Sequence, residues 1–155
     1  MQQISKFYKV SAERFSLDGG DSYENISLPE RATKGSAGYD FITPSQLTLA
    51  PGESCVIATG IRAEIDEGWV LQIFPKSGLG FKFGVRLANT VGIIDSDYFY
   101  SDNEGHILVK IINGASPLTL PAKKAFCQGV FTPFGITYDD NATSSRNGGF
   151  GSTEK

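Results

Sequence analysis

Glycine and proline punctuate this chain so evenly that a long helix has little room to form. The sequence carries 18 Gly and 7 Pro, spread from end to end, and the apolar stretches between them are short. Both residues are poor in helix interiors and ordinary in the turns between strands. The expected fold is all-β: many short strands, at most one short helix, and a single domain with a substantial core at 155 residues.

The chain in order fits that expectation. Phe7, Tyr8 and Val10 suit a first strand, and Arg14-Phe15-Ser16-Leu17 a second, before the turn Asp18-Gly19-Gly20-Asp21. Ser22 to Pro29 reads as a loop. The small residues Gly35, Ser36, Ala37 and Gly38 then allow close backbone packing before Asp40, on a strand or at an edge facing water. Gln46 to Glu53 is a strand with a Pro-Gly turn. From Ser54 to Ile65, Ile57, Ile61 and Ile65 recur at even spacing, a strand period. Trp69 to Phe74 looks buried on both faces. It exits at Pro75-Lys76-Ser77-Gly78-Leu79-Gly80, where a cation, a hydroxyl and two glycines could cradle an anion if Ser77 opens a helical turn. The spacing is not that of a Walker A loop.

Asn89-Thr-Val-Gly-Ile-Ile-Asp-Ser-Asp-Tyr98 gathers an amide, two acids and a phenol among apolar residues. With His106-Ile-Leu-Val-Lys-Ile-Ile-Asn113 returning, the pair reads as two arms of an extended hairpin. Asp95, at the end of an apolar run, is either a turn-forming Asx residue or a carboxylate set to act as a base. Pro117 to Pro121 is a short strand. Ala125 to Phe134 is another, in which Gln128 shares a side with apolar neighbours and needs a partner from backbone or ligand. Residues 139–155 are polar and then Gly-rich, a flexible C-terminal arm after a core of 1–138. Arg146 and Phe150 embedded there suit an arm that orders on a ligand, Arg clamping an anion and Phe stacking a flat ring.

A net charge of −3 with no basic run argues against broad nucleic-acid binding, though not against a small polyphosphate. No 18-residue apolar run predicts a membrane span, and the N-terminus lacks a signal-peptide pattern. Cys55 and Cys127 sit in strand-like segments rather than at metal-ligand spacing, as buried thiols of a reduced, cytoplasmic protein.

Five segments in order resemble the trimeric deoxyuridine triphosphatase (dUTPase) family: Ala37-Gly-Tyr-Asp40, Pro75-Lys-Ser-Gly-Leu79, Asn89 to Tyr98, Ala125-Phe-Cys-Gln128 and Arg146 to Thr153. The resemblance implies a jelly-roll-like β-barrel subunit of a homotrimer, with sites at subunit interfaces and the arm lent by a neighbour. It implies hydrolysis of dUTP to dUMP and pyrophosphate, with Mg2+ on the triphosphate. Asp95 would be the base that activates water for attack on the α-phosphorus. Asn89, Ile93, Ile94 and Leu108 would meet the uracil edge, and Tyr98 would pack under the deoxyribose and exclude a 2′-hydroxyl. Lys76, Ser77, Gly78 and Gln128 would hold phosphate, and Asp40 would reach Mg2+ through water. Arg146 would clamp the terminal phosphates while Phe150 closes over the base.

The chain departs from the family pattern in several places. Lys76 stands where Arg is usual and loses the bidentate fork. Ala125 replaces a usual Arg, the tail is one residue shorter before its Gly-Gly-Phe, and Glu154 replaces a common Gly. Phe99 to Glu104 is an insertion whose aromatic and acidic residues could contact a partner, which keeps a nucleotide-dependent regulatory protein as the alternative. A dCTP deaminase on the same fold is a second rival. His106, the only histidine, is expected at the surface beside the insertion.

Overall fold

Short antiparallel ladders account for most of the chain. The computed structural model describes residues 1–147. In chain order these form β1 (Ser5–Lys9), α1 (Ala12–Leu17), β2 (Glu30–Arg31), β3 (Tyr39–Ile42), β4 (Leu47–Leu49), β5 (Ser54–Ala58) and β6 (Ile61–Ile65). There follow β7 (Trp69–Pro75), α2 (Ser77–Phe83), β8 (Arg86–Leu87), β9 (Gly92–Ile94), β10 (Leu108–Ile112), β11 (Leu118–Leu120) and β12 (Ala125–Pro133). The largest sheet has the order β2-β3-β12-β7-β9; smaller sheets are β5-β10-β8, β1-β6 and β11-β4. The all-β, jelly-roll-like fold expected from the sequence is what these sheets build.

The core lies between them. Leu71 and Ile73 of β7, Phe126 and Cys127 of β12, Phe41 of β3 and Ile111 of β10 are all almost completely buried. Phe7 of β1 packs edge-on against Tyr39 and Phe41, with ring centroids 5.4 and 5.8 Å away. Gly129 keeps β12 close to its neighbours: a Cβ there would come 2.7 Å from a Leu71 methyl and 3.0 Å from the Phe41 ring.

Three sequence expectations change. Arg14 to Leu17 is helical rather than extended, and with α2 there are two short α-helices, not at most one. Local chemistry accounts for α1: the Ser11 hydroxyl caps the Arg14 N–H at 3.0 Å, Glu13 sits in the first turn and Arg14 pairs with Asp18 one turn on at 2.8 Å. Phe15 alone reaches the core from it.

The second change concerns the central hairpin. β9 and β10 do not pair: β10 is flanked by β5 and β8, so both its edges are taken, while β9 adds to β7 with Ile93 opposite Gln72. Gly92 permits this, since a Cβ there would come 3.0 Å from the Ile73 Cβ. The third is His106, which is fully buried. Its ring faces the end of α1 and the β5–β6 turn, where the Gly60 N–H donates to Nε2 at 2.8 Å and Asp18 meets Nδ1 at 2.6 Å. The Ser54–Ile65 stretch thus breaks into two strands at Gly60, whose φ is +74°.

Both cysteines are free. Cys127 is fully buried as expected and its thiol is pushed well up by burial; Cys55 is only half-buried, with a smaller upward push from the same cause and from Glu53. Among the described residues, no helix is long and apolar enough to cross a membrane.

Candidate active site

A cleft of about 670 Å³ opens beside β9, a size typical of small-molecule sites. Its lining includes Asn89, Ile93, Ile94, Tyr98, Leu108 and Arg146. These are residues that the sequence assigned to base, sugar and phosphate recognition. The β8–β9 connection turns sharply: Thr90 is left-handed at φ 69°, and the Val91 N–H returns to the Asn89 carbonyl at 2.8 Å. That turn leaves Asn89 exposed at the mouth. Since β9 is the edge of the five-stranded sheet, one side of its backbone is bonded to β7 and the other is left to meet a ligand. A flat heterocycle with alternating donors and acceptors can pair there as another strand would.

Asp95 follows β9 and caps a 3-10 turn, Ser96–Tyr100, that brings Tyr98 into the cleft lining. The Asp95 carboxylate is 43% exposed and does not itself line the cleft. Arg146 reaches it from the arm: Nη2 lies 2.5 Å from Asp95 and Nε 2.9 Å from Asp97. The guanidinium also sits 6.0 Å above the Tyr98 ring. One cation therefore bridges two acids and the aromatic floor. Asp97 was visible in the sequence only as a turn acid, and its pairing with Arg146 comes from the fold.

The remaining predicted residues gather elsewhere on the same sheet. Asp40 on β3 lies opposite Gln128 on β12, and Lys76, just past β7, donates to Asp40 at 2.8 Å. This pair is only partly exposed, so Asp40 faces a lysine across the sheet rather than water. The Gln128 amide N–H lies 3.4 Å from the Pro75 carbonyl, a weak bond. Its amide oxygen fills the space above Gly38, where any Cβ would collide with it. Ser77 opens α2 as the sequence suggested, and the Leu79 and Gly80 N–H groups both close on the Lys76 carbonyl. The amides of Ser77 and Gly78 then form the first-turn donors, which have no partner within the helix ladder. None of Asp40, Lys76, Ser77, Gly78 or Gln128 lines the cleft. Phe150 lies outside the described residues.

The dUTPase family profile matches residues 24–154. This chain belongs to the dUTPase family. A deoxyuridine 5′-triphosphate nucleotidohydrolase of Lactococcus lactis is 39% identical over 137 residues, 84% of this chain and 91% of that protein. One from Actinobacillus pleuropneumoniae is 41% identical over 148 residues, covering 90% and 94%. Among solved structures, the Streptococcus mutans dUTPase superposes with a TM-score of 0.69 at 34% identity, covering 84% of this chain and 97% of its own. The dUTPase of Staphylococcus aureus phage phi11, at 20% identity and a TM-score of 0.68, shares the fold.

Within a dUTPase fold, the residues that sequence reasoning passed over are those behind Tyr98. The phenol donates to the His106 carbonyl at 2.8 Å and accepts from the Asn103 amide at 2.8 Å. His106, assigned to the surface, is instead part of this buried support. A lone histidine beside a polar insertion carries no periodic signal of burial, because its partners Asp18 and Gly60 are distant in sequence.

Proposed function

We propose that this chain is a dUTP diphosphatase that joins dUTP and water to give dUMP and pyrophosphate. The observation that supports the reading is a cleft with an edge-strand backbone, Asn89 at the mouth and Tyr98 in its lining, whose Arg146 is bonded to the neighbouring Asp95 carboxylate. That combination suits a uracil on the strand edge, a deoxyribose on the phenol ring and an α-phosphorus near the carboxylate. Asp95 takes one proton from water as its oxygen bonds to the α-phosphorus. The bond from that phosphorus to the bridging oxygen breaks, and pyrophosphate leaves with the pair. Asn89, with the backbone of Ile93, Ile94 and the nearby Leu108, selects the base.

The phosphate groups would be held by Ser77, Gly78, Lys76 and Gln128, with Arg146 on the terminal phosphates and Phe150 over the base. Because Arg146 rests on Asp95 and Asp97, the triphosphate competes with these carboxylates for the guanidinium. The proposed phosphate-binding residues lie outside the lining of the cleft in the same chain. A complete site then needs pieces from more than one copy, which supports a homotrimer with arms, residues 139–155, shared between subunits. Exposed Phe81, Phe134 and Ile136 supply apolar area for such contacts.

Among the described residues no cluster of three or more His, Cys, Asp or Glu could hold a metal directly. Asp40 uses one oxygen on Lys76 and is partly exposed, a donor that suits an ion arriving on the triphosphate and touched through its waters. Mg2+ bound this way would neutralise phosphate charge. A structure of the phi11 phage dUTPase is described as coordinating a structural Mg(II) ion. The free thiols are in keeping with a cytoplasmic enzyme.

The test is turnover of dUTP, dTTP, dCTP and UTP with and without Mg2+, separating dUMP, pyrophosphate and deaminated products. Release of dUMP and pyrophosphate from dUTP alone is expected. A deaminated product, or tight dUTP binding without hydrolysis, would overturn the reading.

A further inference from the structure

The insertion after Tyr98 is tied into the fold at both ends. Within it Ser101 is buried while Tyr100 and Asp102 are exposed, and the following Gly105 and His106 are buried. Arg62 donates to the Phe99 carbonyl at 2.7 Å and stacks on the Phe99 ring at 3.7 Å. Glu104, in the left-handed region at φ 60°, accepts from the Ser11 N–H at 2.8 Å and from the Ser11 hydroxyl at 2.6 Å. Gly105, at φ 67°, lies so close to the Tyr98–Phe99 backbone that a Cβ would sit 2.7 Å from both Phe99 Cα and the Tyr98 carbonyl. Asn103 spans the loop, its amide on the Tyr98 hydroxyl and its carbonyl oxygen taking the Gly105 N–H at 3.2 Å.

All of this converges on one phenol. Tyr98 is 6% exposed, yet its ring lines the cleft. Its hydroxyl donates to the His106 carbonyl and accepts from Asn103, so its bonding is used up on the protein side. The cleft therefore meets ring carbon. A sugar hydroxyl laid against it would lose water and find no partner there, a penalty that a 2′-deoxy sugar escapes. The carbonyl that receives the phenol belongs to a residue whose ring is itself fixed: Asp18 holds Nδ1–H, and Nε2 accepts from Gly60. Arg14 in turn holds Asp18 at 2.8 Å.

We propose that Asn103 and the Asp18–His106 pair are positioning residues that hold the Tyr98 ring in the cleft floor and so set the preference for deoxyribose over ribose. The inference rests on the proposed dUTP reaction and assigns a part of its specificity to residues outside the five family segments. It also gives the insertion a task inside the subunit.

The experiment compares kcat and KM for dUTP and UTP in the full-length protein, in Asn103→Ala, in Tyr98→Phe and in the double variant. Asn103→Ala is expected to lower the dUTP-to-UTP ratio of kcat/KM by about tenfold, the size of losing one bond to a specificity group. Tyr98→Phe should do the same, and the double variant should add nothing further, because Asn103 acts through that hydroxyl. In protein labelled with 13C at tyrosine Cζ, the Tyr98 resonance should shift in Asn103→Ala. A wild-type chain that leaves dUTP intact sinks the reaction itself. A wild-type chain that prefers dUTP, with the ratio and the Cζ resonance unchanged in Asn103→Ala, sinks only the positioning role. If Asn103→Ala fails to fold, Tyr98→Phe decides alone: an undiminished ratio there overturns the inference.

Discussion

In the proposed reaction a single carboxylate, Asp95, separates binding from chemistry. Replacing it by Asn keeps the size and the polar edge but removes the proton acceptor, so Asp95→Asn should lower kcat by roughly 10²–10⁴-fold. Nucleotide binding should be retained, or even improved, since Arg146 would lose an acid that competes with phosphate. Single-turnover kinetics together with calorimetric titration of dUTP would separate the two effects, and a kcat within twofold of wild type would remove Asp95 from the chemistry. Lys76 makes the complementary case. Its side chain was read from sequence as a phosphate ligand in place of Arg, and in the fold it is already committed to Asp40. Whether phosphate or carboxylate holds it in the loaded enzyme is a competition between two anions for one point charge, which a residue type alone does not resolve.

Helix α1 shows what one element contributes. It was misread as a strand because Arg-Phe-Ser-Leu alternates in the strand manner over too few residues for a helical period to appear. The deciding residues flank it: Ser11 before and Asp18 after. Ser11→Ala removes the N-cap and the hydroxyl bond to Glu104 together. It should cost about 1 kcal/mol, and the melting temperature should fall by roughly 2–4 °C. A second element-scale prediction concerns the Tyr98–His106 loop. Gly105→Ala places a Cβ against the Phe99 and Tyr98 backbone at a positive φ, so it should destabilise by more than about 1 kcal/mol. Chemical denaturation of both variants checks these values; a Gly105→Ala protein as stable as wild type would mean that the loop repacks freely.

For the whole molecule, two predictions reach beyond one element. Ending the chain before Arg146 should reduce kcat/KM for dUTP by at least about tenfold while moving the melting temperature little, because the described residues 139–147 add no buried hydrophobic side chain to the core. A large fall in melting temperature would make the arm structural. The second is a pH dependence centred on His106. Burial outweighs the opposing pull of the Asp18 carboxylate and of Glu104, and with Arg14 nearby it lowers the imidazole below its ordinary value of 6.5. Its Nε2 must also stay an acceptor for the Gly60 N–H. Below pH 6.5 the unfolded chain binds a proton that the folded chain refuses, so stability is full above that value and falls as pH drops toward the folded one. Glu104 and Asp21 are lowered too, by their bonds to Ser11 and Ser45, so their contributions are lost only at lower pH. From about pH 7 to about pH 5 the melting temperature of wild type should fall more steeply than that of His106→Gln. Parallel slopes would exclude His106 as the group responsible.

The sequence by itself determined the strand-rich architecture, through glycine and proline spacing and period-two stretches, and most strand positions followed from it within a residue or two. It also determined one side of the cleft, since Asn89, Ile93, Ile94 and Tyr98 are close along the chain and a short strand and turn keep them together, with Asp95 just beside them. Only the tertiary structure decided the partners. That β9 pairs with β7 and not with β10, that Lys76 meets Asp40, that Arg146 rests on Asp95, and that His106 is buried behind Tyr98 all depend on contacts between residues 36 to 88 positions apart or on which sheet edge was free. Local periodicity fixes which face of a strand is apolar. It carries no information about which distant polar group will satisfy a buried donor, because that choice is made by the packing of the whole core.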